Sequence, residues 1–245
     1  MLLPLAPMPA ARESPPLHTW LAAAYVRGKL AEHPAATGVP TLFSAPFETL
    51  DEESFHALIH LGREQGLRLH RFKRAMGLPR VGKVLGILKG LRPADLLDIG
   101  SGRGAFLWPL LDAFPDLPVT ALDRLDFRAA DIAAVHAGGF RSLTSILGDV
   151  TALTFDQDSF DVVTMLEVLE HVPDPARALR EVCRVARRFV VLSVPSAPDN
   201  NPEHIHLLSS ATLQTLLQAA GADRVTFEHV HGHLIAVARV ATTGR

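Results

Sequence analysis

The stretch Leu96-Leu97-Asp98-Ile99-Gly100-Ser101-Gly102-Arg103-Gly104 decides how the rest of the chain is read. An apolar run carrying an acid gives way to three glycines at alternate positions, and a helical pattern follows over 105–114. Glycines at such a turn let the backbone approach a ligand closely, and the first amides of the following helix lack partners within it. The next apolar run, Val119-Thr120-Ala121-Leu122-Asp123, ends in a second acid 19 residues beyond Gly104. A carboxylate at that strand tip can accept both hydroxyls of a ribose, in charge-assisted bonds worth roughly 1.5–3 kcal/mol.

Outward from this stretch, short apolar runs alternate with helical patterns. Strands are expected at 96–99, 119–122, 143–147, 160–166 and 189–194, and helices at 105–114, 127–136, 175–186 and 211–220. Strands separated by helices need crossover connections, hence a doubly wound α/β fold with a parallel sheet covered on both faces. Two β-rich runs, 224–230 and 234–240, stand too close for a crossover and predict an antiparallel hairpin around His231-Gly232. His229, His231 and His233 are then expected to flank that turn, exposed. Pro109 falls inside a predicted helix and should kink or shorten it.

Before Pro93 the texture is helical. A pattern over 17–32 ends at His33-Pro34, and Thr49-Leu50-Asp51-Glu52 has the form of a capping box opening a helix toward Leu69. An apolar and basic stretch covers 76–91, and residues 1–16, with five prolines, read as an irregular arm. The expected organisation is a helical extension over 1–90, capping the pocket of an α/β domain over 91–245.

Composition narrows the function classes. A chain of 245 residues, 48% hydrophobic and 20% charged, can bury one large core. A net charge of −2 excludes a strongly basic nucleic-acid binder at whole-chain level. The single cysteine, Cys183, excludes an intrachain disulfide and a cysteine zinc cluster, and its helical setting predicts a small core residue. The apolar start has no basic region before it, and no run reaches the ~20 apolar residues of a membrane span, so a soluble cytoplasmic protein is expected. Charge is uneven: residues 60–92 hold nine Lys/Arg against the one acid Glu64, while the remainder has 15 basic and 25 acidic residues. Such a segment can serve an anionic partner or pair with the acidic remainder.

The glycine spacing separates two cofactor classes. A dinucleotide fingerprint places its third glycine at G-x-G-x-x-G, where this chain has Ala105. Asp98 just before the glycines would repel a pyrophosphate, and suits the sulfonium and ammonium of S-adenosylmethionine. The blocks LLDIGSGRGAF (96–106), VTALDR (119–124), LGDVTALTFDQDSFDVVTMLEVLEHVPDP (147–175) and FVVLSVPS (189–196) together resemble class I S-adenosylmethionine-dependent methyltransferases. Residues 1–90 carry no such resemblance.

The resemblance implies a Rossmann-like, seven-stranded, mostly parallel sheet with an antiparallel C-terminal hairpin. It implies S-adenosylmethionine as cofactor, its methionine part surrounded by Asp98, Gly100, Ser101 and Gly102, with Gly104 closing the loop. Asp123 would take the ribose hydroxyls, Arg124 would border the adenine, Asp149 would accept from the adenine amino group, and Val150 would donate its backbone N–H. Glu167 and His171 fall at the end of the fourth strand, where cofactor and acceptor meet. His171 is the candidate base, with Glu170 beside it.

The function expected is methyl transfer to a small-molecule acceptor, with anionic acceptors favoured by residues 60–92. This reading assigns no metal ligand. Three alternatives remain open here. Glu167, Glu170 and His171 with His204 or His206 could hold a divalent metal, similar to small-RNA 2′-O-methyltransferases, with the basic segment on RNA. A nicotinamide oxidoreductase and a non-catalytic cofactor-binding protein are the others.

Overall fold

A computed structural model describes residues 16–72, 77–198 and 200–241, so most of the proline-rich arm and Met76 lie outside the described residues. Five parallel strands, β1 (Leu96–Ile99), β2 (Val119–Asp123), β3 (Leu143–Leu147), β4 (Phe160–Leu166) and β5 (Ala186–Pro195), join the hairpin β6 (Ala222–Val230) and β7 (His233–Val240). The seven-stranded order is β3-β2-β1-β4-β5-β7-β6, with β7 antiparallel to both neighbours. The expected doubly wound sheet and antiparallel hairpin are both present. The winding reverses between β1 and β4, which pair in parallel from Leu96↔Val162 to Ile99↔Met165. Open α/β sheets bind ligands at the carboxyl ends of strands flanking that reversal.

Strand alternation sorts the core into two layers. Leu96, Val119, Ala121, Leu143 and Val162 face one apolar cluster, and Leu97, Ile99, Leu122, Val163 and Met165 the other. The second cluster is covered by α7 (Pro175–Val185) and α8 (Ser210–Ala219). Their starts follow side-chain chemistry: Asp174 accepts from Arg177 N at 2.9 Å and Ser209 from Thr212 N at 3.1 Å, satisfying first-turn amides. Cys183 is buried in this layer and burial pushes its thiol up to about 12, which leaves it inert as a nucleophile.

The first cluster is covered by α5 (Leu107–Ala113), α6 (Asp126–Ala137) and the N-terminal helices α1 (Leu17–Leu30), α2 (Pro40–Ser44), α3 (Glu52–Glu64) and α4 (Pro79–Leu91). The N-terminal helices therefore share one continuous apolar layer with the sheet. Trp20 and Tyr25 belong to it: Trp20 meets Phe47 edge-on and Phe55 at a tilt, and Tyr25 donates to Asp131 Oδ1 at 3.0 Å.

Two local expectations are corrected. The capping box at Thr49 does not form, because Asp51 is the cap and accepts from Ser54 N at 2.9 Å, while Thr49 turns its hydroxyl to the Pro46 carbonyl. The helix it opens stops at Glu64, short of Leu69, where Gly66 takes a φ of 74°. The helix expected over 105–114 is shorter, as Pro109 suggests: α5 begins only at Leu107, which puts the proline in its first turn. Among the described residues no helix is long and apolar enough to cross a membrane.

Backbone contact locks α1 onto α6. A Cβ on Gly28 would lie 2.0 Å from the Ala134 carbonyl oxygen, and one on Gly138 would lie 1.7 Å from that of Ala24. Neither obstacle is a flexible side chain, so the helices must part. Gly28→Ala and Gly138→Ala are each expected to lower unfolding free energy by about 3 kcal/mol, read as a fall in the urea midpoint at unchanged slope.

Candidate functional site

The carboxyl ends of β1, β2 and β4 open on a cavity of about 520 Å³, a size that suits a nucleoside-sized ligand. Its wall runs from Asp123, Arg124, Asp149 and Val150 at one end to Glu167, His171, Asn201 and Glu203 at the other, with Gly100 between them. Leu122, Val168 and Val172 supply apolar wall. No described residue of 1–90 lines it.

The glycine loop is shaped by necessity at its first position. Gly100 has φ 72°, a region costly for other residues, and a Cβ there would lie 2.2 Å from Val168 Cγ2. Gly102 and Gly104 also have positive φ. The loop is tied across to β2: Asp123 Oδ2 accepts from Gly102 N at 2.8 Å, and its Oδ1 accepts from Leu125 N at 3.0 Å. Asp123 is therefore both the loop's tether and part of the cavity wall. Asp149 forms a tight turn, accepting from Thr151 N at 2.7 Å and Thr151 Oγ1 at 2.8 Å, and those bonds hold its carboxyl below the usual carboxylate range.

Asp98 lies behind this wall, 2% exposed. Its Oδ1 accepts from Thr164 Oγ1 at 2.8 Å and its Oδ2 from Ser101 Oγ at 2.7 Å. Burial pushes its carboxyl up to about 6; the two hydroxyls oppose the shift, and the nearby Asp123 charge adds to it. Ser101 is likewise buried and holds Asp98.

Beyond β4 the candidate residues separate into two groups. Glu167 has φ 56°, and its Oε1 accepts from Ser193 Oγ at 2.7 Å on β5 while its Oε2 lies 3.1 Å from His233 Nε2 on β7. His233 is thus no exposed turn residue: the β5–β7 register carries it to Glu167, a residue of the cavity wall, while His231 stays in the turn with Gly232. Arg80 of α4 reaches the same place, its Nε 3.9 Å from Glu167 Oε1.

Glu170 and His171 form the second group. The Glu170 side chain is fully buried, with His171 Nε2 and His204 Nε2 each 4.0 Å from its Oε1. His171 lines the cavity, with Nδ1 2.9 Å from the Glu203 carbonyl, so the ring is held in one orientation. Carboxylate and imidazole atoms of Glu170, His171 and His204 lie within 4.8 Å of one another, a set that could hold a divalent cation. The four-residue set suggested by spacing is not assembled, because Glu167 faces Ser193 and His233, and His206 turns Nε2 to the Val172 carbonyl at 3.1 Å.

Sequence reasoning missed several wall residues. Arg128 sits on α6 with Nη1 3.9 Å from Asp123 Oδ2, and Arg177 donates Nε to the Thr151 carbonyl at 2.8 Å. Thr164, which donates to Asp98 behind the wall, carried a signal in the sequence, a hydroxyl set among the apolar Val162, Val163, Met165 and Leu166. In the basic segment, Arg80 faces Glu167 and Lys83 Nζ lies 3.0 Å from Glu228, so these two charges meet acids of the α/β domain. Lys73 and Arg74 lie outside the described residues.

Comparison with known proteins adds to this geometry. Residues 97–192 match the family model described as a methyltransferase domain. A demethylmenaquinone methyltransferase of Roseiflexus castenholzii is 40% identical over 92 residues, covering 37% of each chain. The chain spans little more than a third of the length of such curated relatives (37%, 35% and 38%). Among solved structures, an O-methyltransferase family protein of Burkholderia thailandensis has TM-score 0.58 at 13% identity, covering 91% of this chain and 73% of that one. The N-terminal domain of EvdMO1 with SAH bound has TM-score 0.54 at 19% identity, covering 71% and 86%. These structural likenesses concern the fold.

The buried charge of Asp98 has a consequence for stability. With a folded-state value near 6 against an ordinary 3.8, the native state holds a proton that the unfolded chain has lost between those values. Stability therefore falls as pH rises through that window, and a penalty of about 3 kcal/mol is complete above it. Asp98→Asn is expected to stabilise the free protein by about 2 kcal/mol at pH 7.5 and hardly at all at pH 4, measured by urea unfolding.

Proposed function

We propose that this chain, whose residues 97–192 match the methyltransferase-domain family model, is a class I S-adenosylmethionine-dependent enzyme that transfers the methyl group of S-adenosylmethionine to a small-molecule acceptor. The observation that carries this reading is one cavity joining a strand-tip carboxylate, Asp123, to the group at the end of β4 through the glycine loop. In it, Asp123 would accept from the ribose hydroxyls with lone pairs left over from its two amide bonds. Arg124 and Val150 would border the adenine, and Asp149 would accept from its amino group. The sulfonium and ammonium would lie toward Gly100, where Asp98 favours cations.

S-adenosylmethionine supplies an electrophilic methyl on a cationic sulfur. The chain's contribution is positioning: aligning the acceptor atom with the methyl and the sulfur can lower the barrier by roughly 7–11 kcal/mol. His171 would face the acceptor from the wall, with Glu170 acting through it as a positioning residue. The quinone named for the Roseiflexus relative makes hydroquinones and phenols the first acceptors to try, ahead of thiols and amines.

Calorimetric titration separates this reading from a nicotinamide enzyme. S-adenosylhomocysteine is expected to bind and NADH not to. Asp123→Ala should weaken S-adenosylhomocysteine about 10- to 100-fold, corresponding to the loss of bonds to a charged acceptor. Preference for NADH, or no turnover of labelled S-adenosylmethionine on any phenol, hydroquinone, thiol or amine of the panel, would contradict it.

A further inference from the structure

Glu167 follows β4 and His233 opens β7, and the two meet beside the pocket that Glu167 lines. His233 Nδ1 lies 3.0 Å from the His231 carbonyl oxygen, which can only accept, so Nδ1 carries a proton and the ring's lone pair is on Nε2. That lone pair has two neighbours. Glu167 Oε2 lies 3.1 Å away and Arg80 Nη1 3.4 Å away. With the ring neutral, Nε2 accepts from Arg80; with the ring protonated, Nε2 donates to Glu167. Both states are satisfied without moving a side chain, a property His171 lacks, since its Nε2 looks toward a fully buried carboxylate.

The surroundings hold this arrangement in place. Glu167 keeps a left-handed backbone, a strain found mainly where the surrounding structure over-determines a functional residue. Its amide donates to the Ser193 carbonyl at 3.0 Å and its Oε1 accepts from the Ser193 hydroxyl, so the carboxylate cannot swing away. Glu167 lines the cavity, and Val168, the next residue, packs on Gly100 of the glycine loop. The charged groups that meet the ring are Arg80 of α4 and Glu167; on β6, whose Val230 pairs with His233, Glu228 is taken up by Lys83 of α4.

We infer that the Glu167–His233 pair, held open by Arg80, is the proton acceptor for methyl transfer; this rests on the function proposed above. As the acceptor atom forms its bond to the methyl carbon, the carbon–sulfur bond breaks and its electron pair stays on sulfur as the neutral thioether. The acceptor's proton passes to the carboxylate of Glu167, the member of the pair that lines the cavity, and on from Oε2 to His233 Nε2, which releases Arg80. The sulfonium's positive charge thereby ends on the imidazolium, beside a carboxylate already in position. Acceptors that lose a proton on methylation, phenols and hydroquinones among them, are the class this pair serves.

Histidine-selective NMR on the full chain tests the pair without knowledge of the acceptor, with the His233 resonances identified by their loss in H233Q. Neutral His233 should show the Nδ1–H tautomer. Its titration midpoint should fall in E167Q, which loses the carboxylate, and rise in R80Q, which loses the opposing cation. S-adenosylmethionine should lower the midpoint and S-adenosylhomocysteine, without the sulfonium, should not. On whichever panel compound turns over, kcat should rise with pH through that midpoint. E167Q should lower kcat about 100-fold with little change in KM for S-adenosylmethionine. A midpoint indifferent to both variants, or to the sulfonium, would overturn the inference. If neither ligand moved any resonance, the cofactor reading would fail instead, while the variant titrations would still decide whether the pair exists.

Discussion

A carboxylate with almost no access to water sits beneath the glycine loop, and its charge governs what the pocket can accept. Asp98 is ionised at neutral pH against the cost of its burial, held by two hydroxyls that offset only part of that cost. Neutral or apolar side chains would pack there more cheaply. A group kept at such a cost favours a cation, and the acid Asp123 on the neighbouring strand reinforces the preference. The same carboxylate disfavours an anionic pyrophosphate, so electrostatics and glycine spacing point to the same ligand class.

The remainder of the architecture serves to keep that loop in place. β1 is paired on both sides by parallel strands, so Asp98 cannot move outward. Asp123 ties Gly102 to β2, and Val168 fills the space beside Gly100 from the β4 side. The N-terminal helices contribute indirectly: α1 packs on α6, which carries Arg128 next to Asp123, and α4 sends Arg80 across to Glu167. The described part of the extension thus meets the residues of the pocket through Arg80 and a shared apolar layer.

The sheet, its reversal point and the glycine turn were legible because each leaves a local imprint: period-2 apolar runs, three alternating glycines, acids at strand ends. Asp98, Gly100 and Asp123 carry those imprints and Glu167 stands at a strand's carboxyl end, whereas Asp149 and Val150 could be named only through the resemblance of the block that holds them. His233 could not be assigned, because nothing local distinguishes it from His229 or His231; the antiparallel register of β7 against β5 brings it to Glu167. His204 and not His206 approaches Glu170, because the loop after β5 is turned by amides of Ile205 and His206 bonding the Glu170 carbonyl. Thr49 lost the cap to Asp51 for a similar reason, a competing local bond that spacing does not reveal. Placement of the extension depends on helix-to-helix backbone contact at Gly28 and Gly138, which has no signature in a single sequence.

The account stands on the cationic preference of the loop, and proton linkage measures it directly. S-adenosylmethionine binding should be titrated calorimetrically at pH 6 in two buffers of different ionisation enthalpy, on wild type and Asp98→Asn. The account predicts that wild type releases a proton as Asp98 gives up its share to meet the incoming cation, and that Asp98→Asn binds more weakly and lacks that release. Equal affinity and equal proton balance in the two proteins, or no binding to wild type, would contradict it.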